Sequence, residues 1–145
     1  MSPASRKILL LEDDPLLANL FGGVLQHAGY EVSAASTGQE AMLFGQTCGD
    51  QIDLVVADVV LKDEAALPIV GRLAKLIPGM RVLFVSGFPF DILVETGWLN
   101  QKDFQGGTTY FLQKPFLPAE LVGKINSVLS GGESANDART VQLNG

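Results

Sequence analysis

The sequence holds a single cysteine, Cys48, which excludes an intrachain disulfide and any multi-cysteine metal site. It holds a single histidine, His27, placed near the end of a helical stretch where a cation suits the helix dipole. Basic residues are scarce. The 10 Lys and Arg face 16 Asp and Glu, and the net charge is −6. A sequence-independent nucleic-acid binder needs a basic face to displace counterions, so that class is disfavoured. Attachment to an anionic membrane surface is disfavoured for the same reason. Long apolar runs are also missing. Arg6-Lys7 is followed only by Ile8 to Leu11 before Glu12 interrupts, too short for a signal-peptide core. No run approaches the roughly 18 residues that span a bilayer. These absences leave a soluble cytoplasmic protein as the expectation, with neither nucleic acid nor membrane as partner.

What is present points to a single folded domain. At 145 residues and 47% apolar content, the chain is long and apolar enough to build one core without staples. Short apolar runs alternate with stretches of helical spacing. Lys7–Leu11, Tyr30–Ala35, Asp53–Asp58, Arg81–Ser86 and Tyr110–Gln113 read as strands. Asp14-Pro15 reads as an N-cap with proline at the first helical position, ahead of Leu16, Leu17, Leu20, Phe21, Val24, Leu25 and Ala28. Thr37 and Glu40 form a capping-box pair that opens a second helix. A third helix is expected over about 65–76. A last one opens at Pro118, with Leu121, Val122, Ile125, Val128 and Leu129 on one face. Buried strands alternating with amphipathic helices mean a parallel sheet covered on both faces, a doubly wound α/β sandwich. Residues 87–109 resist this pattern. They admit a short helix near 90–96 and otherwise read as a long loop, with Trp98 and Phe104 as a local apolar anchor. Residues 130–145 are polar and read as a disordered tail, and 1–5 as an N-terminal extension.

In an open parallel sheet, ligands bind beyond the carboxyl ends of the strands. Glu12, Asp13 and Asp14 follow the first strand, Asp58 ends the third, Ser86 ends the fourth, and Lys114-Pro115 follows the fifth. Carboxylates gathered in one crevice repel one another, by roughly 4 kcal/mol per pair at about 4 Å and an effective dielectric near 20. Protons or a cation must offset this. Oxygen ligands alone favour a hard cation such as Mg²⁺ or Mn²⁺ over Zn²⁺. A cation with Lys114 and Ser86 would let a phosphoryl group approach, and Asp58 is then a candidate carboxylate nucleophile. For Asp14, capping the first helix is the better reading.

Four segments together carry a family resemblance: Ile8-Leu-Leu-Leu-Glu-Asp-Asp-Pro15, Asp53-Leu-Val-Val-Ala-Asp58-Val-Val, Val85-Ser86-Gly87 and Gln113-Lys114-Pro115-Phe116. The chain resembles the receiver domain of bacterial two-component response regulators, and is similar to receivers of hybrid sensor kinases, over about residues 6–129. The resemblance implies a flavodoxin-like sandwich with a five-stranded parallel sheet in the order 2-1-3-4-5. It implies Asp58 as phosphoryl acceptor, and Mg²⁺ held by Glu12, Asp13, Asp58 and the Val60 backbone carbonyl. It implies Ser86 as a hydroxyl that moves onto the phosphoryl group, Lys114 as its ion-pair partner, Pro115 as a cis-proline and Phe111 as the aromatic switch. The donor would be a phosphohistidine on a sensor histidine kinase or histidine phosphotransfer domain. The output surface would be the face of the fourth helix, fifth strand and fifth helix, toward a downstream protein target. On this reading the chain is a regulatory phosphoacceptor rather than an enzyme.

The chain departs from the family's pattern in places. Leu61-Lys62 stands where Met-Pro is usual, and Ala66 where glycine is usual. The span from Ser86 to Lys114 is longer than is typical, which puts the fourth helix in question. Val60 and Phe88, two residues past the acceptor and the hydroxyl, are both apolar, which implies slow self-dephosphorylation. The alternatives are a receiver-like binding module that takes no phosphate, a carboxylate-nucleophile phosphatase and a flavodoxin-like binder. The second lacks its Asp-x-Asp motif after the first strand and a cap domain. The third lacks a phosphate-cradling loop at that point.

Overall fold

Each apolar run is a strand in the computed structural model of the protein, which describes residues 5–131. The strands are β1 (Lys7–Leu11), β2 (Glu31–Ala35), β3 (Leu54–Asp58), β4 (Val82–Ser86) and β5 (Thr109–Gln113). They form one parallel sheet in the order β2-β1-β3-β4-β5, the expected arrangement. The runs are continuously apolar because successive side chains enter two different cores. Leu9, Leu11, Val55, Ala57, Val82, Phe84 and Phe111 face one core. Ile8, Leu10, Leu54, Val56, Leu83, Val85, Tyr110 and Leu112 face the other.

Helices α1 (Pro15–His27) and α5 (Pro118–Ser130) cover the second core through Leu25, Leu121, Ile125, Val128 and Leu129. Helices α2 (Gly38–Cys48), α3 (Ala66–Leu73) and α4 (Phe90–Glu95) cover the first through Ala41, Ile69, Leu73, Phe90 and Leu93. Asp14 caps α1 as expected, its carboxylate accepting from the Leu16 amide at 2.9 Å. The apolar stripe of α1 is wider than the surface it covers, so Leu16 and Leu20 remain 76% and 55% exposed. Thr37 Oγ1 accepts from the Glu40 amide at 3.1 Å, while the Glu40 carboxylate turns back onto Ser36. Gly131, at φ 74°, ends α5 in the left-handed conformation that favours glycine.

Three expectations need correction. The third helix ends at Leu73 rather than about residue 76. The next turn tightens, with the Lys75 amide donating to the Arg72 carbonyl and the Leu76 amide to the Leu73 carbonyl. Residues 87–109 are also more ordered than a loop. After the short α4, Gln101–Gln105 form a 3-10 helix, capped by Asn100 Oδ1 accepting from the Lys102 amide at 3.1 Å. Phe104 pins this turn to the sheet. It is 1% exposed, edge-on to Phe90 at 4.8 Å and 6.2 Å from Phe84. The expected short fourth helix is present. Ser130, placed in the tail above, is the last residue of α5. The rest of that stretch beyond Gly131, and residues 1–4, lie outside the described residues. Among the described residues no helix is long and apolar enough to cross a membrane.

Candidate functional site

Strand register brings the site together. Leu11 pairs with Ala57, Asp58 with Val85, and Ser86 with Gln113. Glu12, Asp58, Ser86 and Lys114 therefore emerge on one edge of the sheet, at the ends of four different strands. Carboxylate oxygens of Glu12, Asp13 and Asp58 lie within 4.8 Å of one another. Lys114 Nζ donates to Asp58 Oδ2 at 3.2 Å and stands 3.6 Å from Glu12 Oε1. The Val60 amide donates to Asp58 Oδ1 at 3.3 Å. The Phe21 ring lies 5.8 Å from Lys114 Nζ and stacks near Phe116, walling one side of the ammonium.

Glu12 is the buried member of the set, 2% exposed. Its Oε2 accepts from the Asp14 amide at 3.1 Å, and its Oε1 has no hydrogen-bond donor. Burial pushes its pKa from 4.5 up to about 7, and the neighbouring Asp58 charge adds to the shift. A buried carboxylate oxygen without a donor, beside two further acids and one ammonium, leaves negative charge uncompensated. A hard divalent cation fits such a donor set, since all three side chains offer oxygen and His27 and Cys48 lie elsewhere in the fold.

These residues are the ones the sequence motifs single out, in a fold of the expected strand order. The model of the response regulator receiver domain matches residues 8–126. The chain belongs to the response regulator receiver domain family. This receiver domain is 32% identical over 127 residues to the sensor kinase CckA of Brucella abortus, covering 86% of this chain and 13% of that one. It is also 32% identical over 123 residues to the DNA-binding transcriptional regulator NtrC of Rhizobium meliloti, covering 85% and 24%. The chain thus spans about a quarter or less of these two curated relatives. Among solved structures, a response regulator receiver protein from Sinorhizobium medicae superposes with a TM-score of 0.72 at 26% identity, covering 91% of this chain and 100% of that one. The receiver domain of the hybrid histidine kinase CckA gives 0.68 at 25%, covering 85% and 98%.

The remaining expected positions of the receiver domain surround this edge. Ser86 is 2% exposed, and its hydroxyl oxygen accepts from the Phe88 amide at 3.1 Å. Phe88 itself is 56% exposed, and Val60 is half-buried, its amide on Asp58. Phe111 is fully buried against Phe90, with ring centroids 5.5 Å apart. The Lys114–Pro115 peptide is cis, as the resemblance implies. One participant is invisible in the side-chain pattern. The backbone amide of Lys62 donates to Asp13 Oδ2. A proline at that position, usual in the family, has no N–H to donate. The only sequence signal for this contact is that residue 62 is not proline.

Proposed function

We propose that the protein is a phosphoacceptor switch of a two-component phosphorelay. It takes a phosphoryl group onto Asp58 from a phosphohistidine on a sensor histidine kinase or histidine phosphotransfer domain. The observation that supports this most directly is Asp58 held at 3.2 Å by Lys114 in a crevice shared with Glu12 and Asp13. In the transfer, an Asp58 oxygen bonds to phosphorus as the phosphorus–nitrogen bond of the donor breaks. The electron pair stays on the imidazole nitrogen, which is then protonated from solvent. Lys114 neutralises charge on the incoming group, and the Ser86 hydroxyl donates to a phosphoryl oxygen. Glu12, Asp13, Asp58 and the Val60 carbonyl would hold Mg²⁺, which when bound would supply positive charge to offset that of the phosphoryl group.

The reading extends to residues 6–129 as the functional unit, in the cytoplasm. Its output is a downstream protein bound by the face of α4, β5 and α5, reshaped through Ser86 and Phe111. It has neither a nucleic-acid nor a membrane partner. Hydrolysis of the acyl phosphate is slow because the Val60 and Phe88 side chains cannot hydrogen-bond an attacking water. Beryllofluoride with Mg²⁺, a mimic of the acyl phosphate, tests the whole reading. Amide NMR shifts should move around Asp58, Ser86 and Lys114 in the wild type and stay still in Asp58→Asn. No wild-type response, or an equal response in the variant, would leave a receiver-like binding module instead. In the same preparation, radiolabelled phosphoprotein should hold its label for minutes, and decay within seconds would remove the slow-hydrolysis part.

A further inference from the structure

The segment between Asp58 and α3 lacks the stiffening proline of its family, yet it is closed at every turn. Val60 and Ala65 form an antiparallel bridge. The Leu61 amide donates to the Glu64 carbonyl at 3.0 Å, and the Ala66 amide to the Val59 carbonyl at 3.1 Å. Leu61 is buried in the core beneath it. One end of this turn touches the site, through the Val60 amide on Asp58 and the Lys62 amide on Asp13. The other end leaves the site altogether. Glu64 Oε2 accepts from the Gly38 amide at 2.8 Å, at the first turn of α2.

That contact is made with little room to spare. A Cβ at residue 38 would fall 2.8 Å from Glu64 Oε1 and 2.8 Å from Ile69 Cδ1. The glutamate therefore rests directly on α2 backbone, satisfying an amide that the helix itself leaves unpaired. The strand that leads into α2 is also tied to the site, since the Glu12 amide donates at 3.0 Å to the carbonyl of Ala35, the last residue of β2. The side chain of Glu64 is solvent-exposed and lies outside the acidic cluster of Glu12, Asp13 and Asp58.

We propose that Glu64 is a positioning residue for the metal site. By fastening the 60–65 turn to the N-terminus of α2, it sets where the Val60 carbonyl and the Lys62 amide stand relative to Asp13 and Asp58. It takes the role that a proline plays when backbone stiffness alone shapes this turn. The inference rests on the reading of Glu12, Asp13, Asp58 and Val60 as the Mg²⁺ ligands.

Mg²⁺ titration followed by amide NMR, together with hydrogen exchange at Gly38, tests this. Glu64→Ala should weaken Mg²⁺ binding about tenfold, at the low end of losses from outer partners of a metal site, and speed exchange at Gly38. Glu64→Gln should stay within about twofold of the wild type in both readouts, because its amide oxygen still accepts from Gly38. Gly38→Ala, which displaces the carboxylate instead of deleting it, should behave like Glu64→Ala. Unchanged Mg²⁺ affinity in Glu64→Ala would overturn the proposal. So would an equal loss in Glu64→Gln, since that would mark a long-range charge effect rather than a positioning contact. A wild type that binds no Mg²⁺ would instead overturn the reading of the metal site itself.

Discussion

Glu12 is the residue whose surroundings do most to set the character of the crevice. Its protonated form is favoured in the folded chain, with a pKa pushed from 4.5 up to about 7 by burial. A carboxyl raised in this way gives stability that is complete below its unfolded value and is lost as pH rises toward the folded one. In metal-free protein, the urea unfolding midpoint of the wild type should therefore fall between pH 4.5 and about 7 relative to Glu12→Gln, which mimics the neutral acid. Parallel pH profiles for the two proteins would contradict this. Side chains of this kind are legible from sequence because they stand at the ends of buried strands. An acid directly after Leu11, or closing Leu54–Asp58, has only the sheet's edge to occupy. The Lys62 amide is not legible in that way, because a backbone donor carries no side-chain signature. Glu64 is hidden for a related reason. An exposed glutamate in a loop has the same appearance whether it is solvated or fastened to a helix 26 positions away.

Among the elements, strands and long helices follow the sequence pattern closely, because burial on both faces leaves continuous apolar runs between polar stops. The segment after α4 does not. The 3-10 helix Gln101–Gln105 has no apolar period, and a single buried ring, Phe104, holds it. One ring gives no periodicity to read, and the surrounding glycines and polar residues suggest a loop. The contacts of that ring say how much depends on it. Phe104→Ala should cost about 3–5 kcal/mol by urea unfolding, the usual range for emptying a buried phenylalanine site. Leu16→Ala, on the exposed face of α1, should change stability by no more than about 0.5 kcal/mol. A loss under about 1 kcal/mol for Phe104→Ala would mean the segment lies on the core rather than in it. The ring also touches Phe90, which touches Phe111, so the 3-10 turn reaches the expected switch position through Phe90.

For the molecule as a whole, the site draws on strands β1, β3, β4 and β5, so its members are spread over most of the chain. The three acids come from its first half, while Lys114 follows the edge strand β5. During synthesis, the acids leave the ribosome well before the ammonium that pairs with Asp58. A nascent chain that ends before Thr109–Gln113 carries Asp58 without its counter-charge, on a sheet lacking β5. Ribosome-stalled chains of increasing length, offered a phosphodonor, should therefore accept label only after β5 and α5 have emerged. Labelling of chains in which Lys114 has not yet emerged would show that the lysine is dispensable. With Lys114 directly after β5, the crevice gains its ammonium only once the fifth strand has been made, a timing rule built into the order of the strands.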